Sequence, residues 1–247
     1  MWWSNLFADM SSVSFINFSF FPKYLAFFAQ GVAYTLLLAV VSVALAVIPA
    51  LLLAIMRLSN RRPVRDIAGA YIAVFRSTPL LVQLSIIYFG LFYAIQLPRI
   101  TILGFVDISR FIPGVVALAL NSSAYVAEIF RAGILAVDAG QNEAARSLGL
   151  SAFQSMRLVV LPQAIKNVLP ALANEIVTMV KESSICSMLG MAEIMFAAKT
   201  VASTTYISIG PYVMAALIYF CINYPASKGI EAIERRMRRG DKQHQQH

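Results

Sequence analysis

The stretch YLAFFAQGVAYTLLLAVVSVALAVIPALLLAIM, residues Tyr24–Met56, contains no charged side chain and is bounded by Lys23 and Arg57. A helix that crosses the hydrocarbon core of a bilayer needs about 20 mostly apolar residues. The stretch exceeds that length and therefore predicts a first membrane-spanning helix. Pro49 lies inside it and predicts a kink, because proline cannot donate the backbone hydrogen bond of a regular helix.

The composition of the whole chain agrees with a membrane protein. Of the 247 residues, 59% are hydrophobic and 13% are charged, whereas soluble domains carry about 25% charged residues. The formal net charge is +8, which in a soluble protein would suggest nucleic acid. Here the basic residues cluster beside apolar runs, as anchors on an anionic membrane surface do. We therefore expect the membrane, and no nucleic acid, as a partner.

Four further apolar runs follow the first. We expect an all-α integral membrane protein of five transmembrane helices. The second helix should begin near Asp66 and carry Arg76 inside it. The first four spans are separated by a loop at Arg57–Asp66, a short connection at Pro98–Arg110 and a long polar loop at 134–166. The later spans are expected at Phe111–Gly133, at Asn167–Leu189 and within Thr200–Ser227, with a short amphipathic piece at Met191–Lys199 before the last.

The distribution of charge predicts the orientation. Lys and Arg in short flanking loops remain cytoplasmic. Three segments are basic: Arg57–Arg65, the loop from Arg131 to Lys166, and the tail Lys228–Lys242. The connections Pro98–Arg110 and Gly190–Thr205, which alternate with them, are not. Five spans in this alternation place the N-terminus outside and the C-terminus inside.

The cytoplasmic loop is polar yet patterned. Ala144, Ala145 and Leu148 have the spacing of one helix face. Ser151 with Gln154 three residues later is typical of a capping box at the start of a helix. We therefore predict two short helices with Gly149 between them, since glycine permits a sharp turn.

Residues 141–149 read QNEAARSLG, and VVLP follows nine residues later at 159–162. This spacing resembles the EAA signature of ABC importer permeases, although Val159 stands where the family has Ile. FRSTPLLVQ at 75–83, AYVAEIFRAG at 124–133 and Asn174-Glu175 are similar to the polar amino acid uptake branch of that family.

The resemblance implies a type I importer in the bacterial cytoplasmic (inner) membrane. Its implied partners are an ABC ATPase dimer, a second permease copy or paralogue, an extracytoplasmic solute-binding protein and an amino acid substrate. It divides the chain into an N-terminal interfacial segment at 1–22, a transmembrane domain at 23–239 with the coupling loop 134–166, and a polar tail at 240–247.

The chain itself is not expected to be an enzyme. It has no G-x-x-x-x-G-K-[ST] phosphate loop, so ATP and Mg should be bound by the partner ATPase and no cofactor by this chain. Its cysteines and histidines show no metal-site spacing. The alternative is a secondary, ion-driven transporter or channel; that class usually shows inverted repeats, which are not evident here.

In the loop, the resemblance assigns coupling to the ATPase to five residues. A small-residue face permits close approach and a carboxylate can pair with a basic partner. The alternative is an amphipathic helix on headgroups, which is usually Lys- or Arg-rich on its polar face. The predicted coupling residues are Glu143, Ala144, Ala145, Leu148 and Gly149.

Polar residues inside the spans are candidates for the substrate pathway, because ionisable groups in hydrocarbon cost several kcal/mol. Glu175 suits an ammonium or basic side chain, or a hydrogen bond to a neighbouring helix. Arg76 suits a carboxylate, or a salt bridge to Glu128 or Glu182. A local pair of Glu128 with Arg131 is also expected. The candidate pathway residues are Arg76, Thr78, Gln83, Asn121, Ser122 and Glu175, and the uncharged ones could equally form interhelical hydrogen bonds.

Overall fold

The computed structural model describes the backbone of residues 17–244 and the side chains of residues 17–237. Most of the predicted interfacial segment 1–22 and part of the tail 240–247 therefore lie outside the described residues. The division of the chain at these boundaries stays a prediction.

Helices dominate the described part of the chain. The α-helices are α1 Phe21–Arg57, α2 Arg62–Ser77, α3 Leu80–Ser85, α4 Tyr93–Ile95, α5 Ile108–Leu135, α6 Ala139–Ser147, α7 Ala152–Ser155, α8 Leu161–Glu182, α9 Ile194–Thr205 and α10 Gly210–His244. π-Helical segments Ile86–Phe92 and Met156–Val160 join α3 to α4 and α7 to α8, and a 3₁₀ segment Ser183–Leu189 follows α8.

The first predicted span is a single helix. α1 has 37 residues and Pro22 in its first turn, where the missing proline N–H costs nothing. At 1.5 Å per residue it is about 55 Å long, which is ample for a bilayer. Its outer face carries exposed apolar side chains such as Ile48 and Leu52, as a lipid-facing surface would.

The core forms where α1 packs along α5 and α5 packs against α8. Tyr34 and Leu38 of α1 meet Leu118 of α5 and Met179 of α8 in one buried cluster. At Gly31 the backbone of α1 approaches α9, and an added Cβ would lie 3.2 Å from the Ile194 Cα. This close approach anchors the later half of the chain on the first helix.

The second predicted span is broken, which the sequence interpretation did not anticipate. α2 and the segment Leu80–Ile95 meet at an angle of 103°. The break falls at Thr78, which has extended backbone, because the proline at position 79 disfavours helical conformation in the residue before it. Arg76 therefore lies at the end of α2 and not inside a continuous span.

Three local expectations also need correction. The loop predicted at Arg57–Asp66 is only four residues long, since α2 begins at Arg62 with Pro63 in its first turn. The connection after Pro98 is not purely irregular: strands β1 Thr101–Ile102 and β2 Val106–Asp107 form a small antiparallel ribbon. The amphipathic piece predicted at Met191–Lys199 becomes helical only at Ile194, after the cap at Glu193, and is part of α9, which continues to Thr205.

The predicted second short helix of the cytoplasmic loop is continuous with the fourth span. From Ala152 the chain stays helical through the π segment into α8 and ends at Leu189. The capping box predicted at Ser151 is confirmed, with the Gln154 N–H donating to Ser151 Oγ and the Ser151 N–H donating to Gln154 Oε1. Pro162 lies within this helical stretch, just after the π segment, and does not end it.

Length and composition identify two described helices able to cross a membrane, Phe21–Arg57 and Ile108–Leu135. Up to four spans result if each bent pair, α2 with Leu80–Ile95 and Ala152–Leu189 with α9, is counted as one. The chain is thus a helical membrane protein. The count of five spans and their orientation stay predictions.

Candidate functional site

The break in the second span is held by one side chain. Gln83 is buried, and its Nε2 donates to the Phe75 carbonyl at 2.8 Å and to the Thr78 carbonyl and hydroxyl at 3.0 and 2.8 Å. Thr78 Oγ1 in turn donates to the Val74 carbonyl at 2.8 Å. Backbone groups freed by a break cannot turn to lipid for partners, so Gln83 supplies them.

The neighbouring helix closes this arrangement. Asn121 of α5 is buried, and its Nδ2 donates to Gln83 Oε1 at 2.8 Å and to the Phe75 carbonyl at 3.4 Å. The next residue, Ser122, is fully buried and donates from Oγ to Glu175 Oε1 of α8 at 2.8 Å. The structure therefore forms two polar groups at consecutive residues of α5. Asn121 bonds to Gln83, which bonds to Thr78, and Ser122 bonds to Glu175.

Glu175 is the carboxylate of this site. Its side chain is 9% exposed, and the hydrogen bond from Ser122 is the one contact recorded for its oxygens among the described residues. A carboxylate has room for about four hydrogen bonds. Glu175 therefore makes the interhelical bond that the sequence allowed and retains acceptor capacity for a further donor.

Arg76, the sixth predicted pathway residue, points away from these two groups. Its guanidinium lies over the Tyr125 ring, 5.3 Å from the centroid, and makes no salt bridge or hydrogen bond with a described residue. The expected partner Glu128 is engaged elsewhere, accepting from Arg131 Nε and Nη2 at 3.0 and 2.8 Å. The local pair of Glu128 and Arg131 is thus present, and the Arg76–Glu128 salt bridge is absent.

The cytoplasmic loop folds back on itself. Asp138 caps α6 by accepting from the Gly140 N–H at 2.7 Å, and Asn142 Oδ1 accepts from Ser155 Oγ at 2.6 Å. Gly149 has φ +87°, a left-handed conformation that glycine adopts without steric cost. The loop is therefore a defined turn between two helices.

The predicted coupling residues of this loop differ in exposure. Glu143 and Ala144 are exposed, whereas Ala145 is 5% exposed and faces its own chain. The expected pair of surface alanines is therefore reduced to one. Leu148 is 85% exposed and Phe153, which the sequence interpretation did not single out, is 72% exposed. Large apolar side chains on a polar loop are typical of an interaction surface.

Two further polar residues were missed. Glu193 is fully buried and caps α9, accepting from the Met195 and Phe196 N–H groups at 2.8 and 2.6 Å and from Tyr219 Oη at 2.7 Å. An acidic residue just before an apolar helix is a recognisable start signal. Arg57, at the end of α1, lies 3.9 Å from Glu128 through its Nε; its position next to an interhelical carboxylate had no signal in the sequence.

The C-terminal part of α10 carries an ion network. Lys228 Nζ donates to Glu231 Oε2 at 2.9 Å, and Arg235 lies 3.7 Å from the same oxygen. The hydrogen bond from Lys228 holds the pKa of Glu231 below its usual range. Glu231 also lines a cavity of about 460 Å³ between α8 and α10. No group of three or more His, Cys, Asp or Glu in the described part of the chain could hold a metal ion.

A helical chain with a broken apolar segment, a buried polar centre and an exposed, capped helical loop has the construction of a membrane permease. Residues 46–239 match the family described as the inner membrane component of binding-protein-dependent transport systems. Because the match covers most of the chain, this protein belongs to that family and is an inner membrane component.

Curated relatives and a solved structure agree. The arginine transport system permease protein ArtQ of Bacillus subtilis is 41% identical over 226 residues, covering 92% of this chain and 99% of its own. A putative glutamine transport system permease protein, GlnP of Rickettsia felis, is 43% identical over 218 residues, covering 88% and 95%. A crystal structure of an amino acid ABC transporter with histidines aligns with a TM-score of 0.80 at 46% identity, covering 90% of this chain and 99% of that one.

Proposed function

We propose that this chain is the permease subunit of an ATP-driven ABC importer that takes up polar amino acids. The observation that carries the proposal is Glu175, a buried carboxylate with spare acceptor capacity next to a broken span. It lies in a family member whose relatives are named for arginine and glutamine transport. Because a buried carboxylate suits a positive group, the substrate's ammonium or a cationic side chain would bind there.

The transported molecule would pass the polar centre between α5 and α8. Ser122 would orient the Glu175 carboxylate. Gln83 and Asn121 would stabilise the backbone at the break between α2 and α3. Thr78 is exposed at the break; its hydroxyl donates to Val74 and accepts from Gln83, and retains one acceptor position for a substrate. Arg76, one turn away, would meet the carboxylate that every free amino acid carries.

The proposed assembly supplies what this chain lacks. Two permease subunits, identical or paralogous, would enclose the pathway, and an ATPase dimer on the cytoplasmic side would bind ATP and Mg. An extracytoplasmic solute-binding protein would deliver substrate, as the family description implies. In this assembly, the chain would have five spans, with the N-terminus outside and the C-terminus inside.

Coupling would pass through α6. Glu143, Ala144 and Leu148 are exposed on the cytoplasmic loop, and the turn at Gly149 is continuous through α7 with α8, which carries Glu175. Ala145 packs inward and would hold α6 against its own chain. A movement of α6 on the ATPase would therefore reach the polar centre through a continuous helix, a physical two-state connection.

The test of the substrate role uses the complete transporter in liposomes. Glu175→Gln keeps the shape of the side chain and removes its charge, so the KM for a cationic amino acid should rise about tenfold or more. Ser122→Ala is the comparison variant: it removes the hydrogen bond that orients Glu175 but leaves the carboxylate, so the KM should rise less than in Glu175→Gln. Unchanged affinity and selectivity in Glu175→Gln would exclude the substrate role.

A second measurement separates the proposal from the alternative of an ion-driven transporter. The purified chain should bring an ATPase and a second permease copy with it, and uptake should stop when ATP is withheld. Uptake driven by a proton gradient without ATP would contradict the proposal.

A further inference from the structure

A cavity of about 510 Å³ lies between α1, α2 and α5, apart from the polar centre around Glu175. Its lining includes Arg57, Gly69, Arg76, Tyr125 and Glu128. Gly69 makes room for it: a Cβ there would lie 3.0 Å from Arg57 Nη1. The guanidinium of Arg57 thus packs against α2 at Gly69, where a larger residue would require it to shift.

The charges around this cavity do not balance. Arg57 and Arg76 line it against one carboxylate, Glu128. That carboxylate already accepts two hydrogen bonds from Arg131, at 2.8 and 3.0 Å. Arg131 does not line the cavity but occupies Glu128, so the two lining guanidinium groups exceed the one lining carboxylate and the cavity is electropositive.

Both lining arginines have donors to spare. Arg57 Nε is buried and has no hydrogen-bond partner; its distance of 3.9 Å to Glu128 Oε1 is too long for one. The Arg76 guanidinium contacts the face of Tyr125, which leaves its N–H edge free. The Arg57 side chain as a whole is 30% exposed and makes no hydrogen bond with a described residue, so its other N–H groups can donate to an acceptor in the cavity.

The position of the cavity relates it to the pathway. Asn121, Tyr125 and Glu128 are spaced i, i+4 and i+7 on α5 and share one face of that helix. Glu128 lies about 10 Å along the axis from Asn121, towards the end where Arg57 closes α1. By the charge pattern of the loops, this is the cytoplasmic end.

We propose that this cavity binds an oxyanion, a carboxylate or a phosphate, between the guanidinium groups of Arg57 and Arg76. The planar fork of arginine matches both groups with two parallel hydrogen bonds. The anion has two possible sources, the carboxylate of an amino acid leaving the polar centre or the phosphate of an anionic lipid in the cytoplasmic leaflet. Only the first source rests on the proposed function; the site itself does not.

The experiment uses the full chain in phosphatidylcholine nanodiscs, without transport. Acetate and inorganic phosphate are titrated against chloride at equal ionic strength, and the thermal unfolding midpoint is followed. A specific rise should appear in the wild type. Its apparent affinity should fall about tenfold in Arg76→Gln and in Arg57→Gln, since each loses charged hydrogen bonds. Arg65→Gln is the matched control, because Arg65 belongs to α2 but does not line the cavity.

A second set of nanodiscs containing phosphatidylglycerol distinguishes the sources. Stabilisation by free anions in phosphatidylcholine discs supports a small carboxylate or phosphate as the ligand. Stabilisation that appears only with phosphatidylglycerol, and is lost in Arg76→Gln and Arg57→Gln, supports a lipid headgroup. No stabilisation beyond chloride in either disc, or an equal loss in Arg65→Gln, overturns the proposal. If Arg57→Gln does not fold, Arg57→Lys and the exposed Arg76→Gln decide, and the transport function stands in every case.

Discussion

Gln83 lies beside the C-terminal end of α2, where backbone carbonyl groups would otherwise have no hydrogen-bond donor. α2 stops at Ser77, and its last carbonyl groups have no partner within the helix. Gln83 donates to one of them, the Phe75 carbonyl, and to the carbonyl of Thr78 at the break, and Asn121 fixes the Gln83 amide by donating to its oxygen. In hydrocarbon there is no water to replace these bonds, so one amide side chain determines whether the break is stable.

We expect Gln83→Leu to lower the free energy of unfolding by about 2–3 kcal/mol. The variant leaves the Thr78 carbonyl without a partner, and it leaves the Phe75 carbonyl and the Asn121 amide with only their 3.4 Å bond to each other. The thermal unfolding midpoint of the full chain in nanodiscs measures this. Ser85→Ala is the control: Ser85 is half-buried and bonds only to the Leu81 carbonyl of its own helix. Equal midpoints for the two variants would contradict the role of Gln83.

Single residues of the site were predictable in identity but not in arrangement. The polar residues inside apolar runs identify Gln83, Asn121, Ser122 and Glu175 as unusual from sequence alone. Their hydrogen bonds join α3, α5 and α8, and no local pattern encodes which helices meet. Arg76 shows the same limit: its carboxylate neighbour Glu128 pairs with Arg131 three residues away, a contact within one helix.

At the scale of elements, local signals predicted the caps and missed the break. Ser151 and Gln154 announce a helix start within four residues, and the capping box is present as predicted. The break at Thr78–Pro79 lies within an uncharged stretch of the sequence. The hydropathy therefore gives no sign that the helix ends there. The proline was a signal, but a kink and a 103° turn look the same in the sequence.

The turn at Gly149 gives a prediction with a matched partner elsewhere in the chain. A Cβ added at Gly149 or at Gly229 meets nothing within 4 Å, so only the backbone differs. Gly149 has φ +87°, and Gly149→Ala should cost about 1 kcal/mol of unfolding free energy. Gly229 lies inside α10, and Gly229→Ala should stabilise the chain by up to about 1 kcal/mol.

Thermal unfolding midpoints of the two alanine variants should therefore shift in opposite directions. If both variants shift the same way, the left-handed turn at Gly149 does not contribute to stability as proposed. Uptake by the complete transporter should fall in Gly149→Ala alone, since the turn orients α6 towards the ATPase.

At the scale of the whole molecule, large apolar side chains are exposed at both polar ends of the bundle. Leu148 on the coupling loop is 85% exposed, and Leu103 at the tip of the β1–β2 ribbon is 72% exposed. The charge pattern predicts that these two loops lie on opposite sides of the membrane. An importer of the proposed kind has a partner on each side, an ATPase within and a solute-binding protein without.

Opposite ends make the two leucines controls for each other. Leu148→Asp should reduce the amount of ATPase that co-purifies with the chain about tenfold or more. The reason is that docking would bury the new carboxylate in an apolar contact without a partner charge. Leu103→Asp carries the same chemical change and should leave ATPase recovery unaltered. Quantitative immunoblotting of the purified complex, normalised to the permease, measures both. Equal ATPase recovery in the two variants would mean that the exposed end of α6 is not where the ATPase docks, and the coupling path through α7 and α8 to Glu175 would lose its starting point.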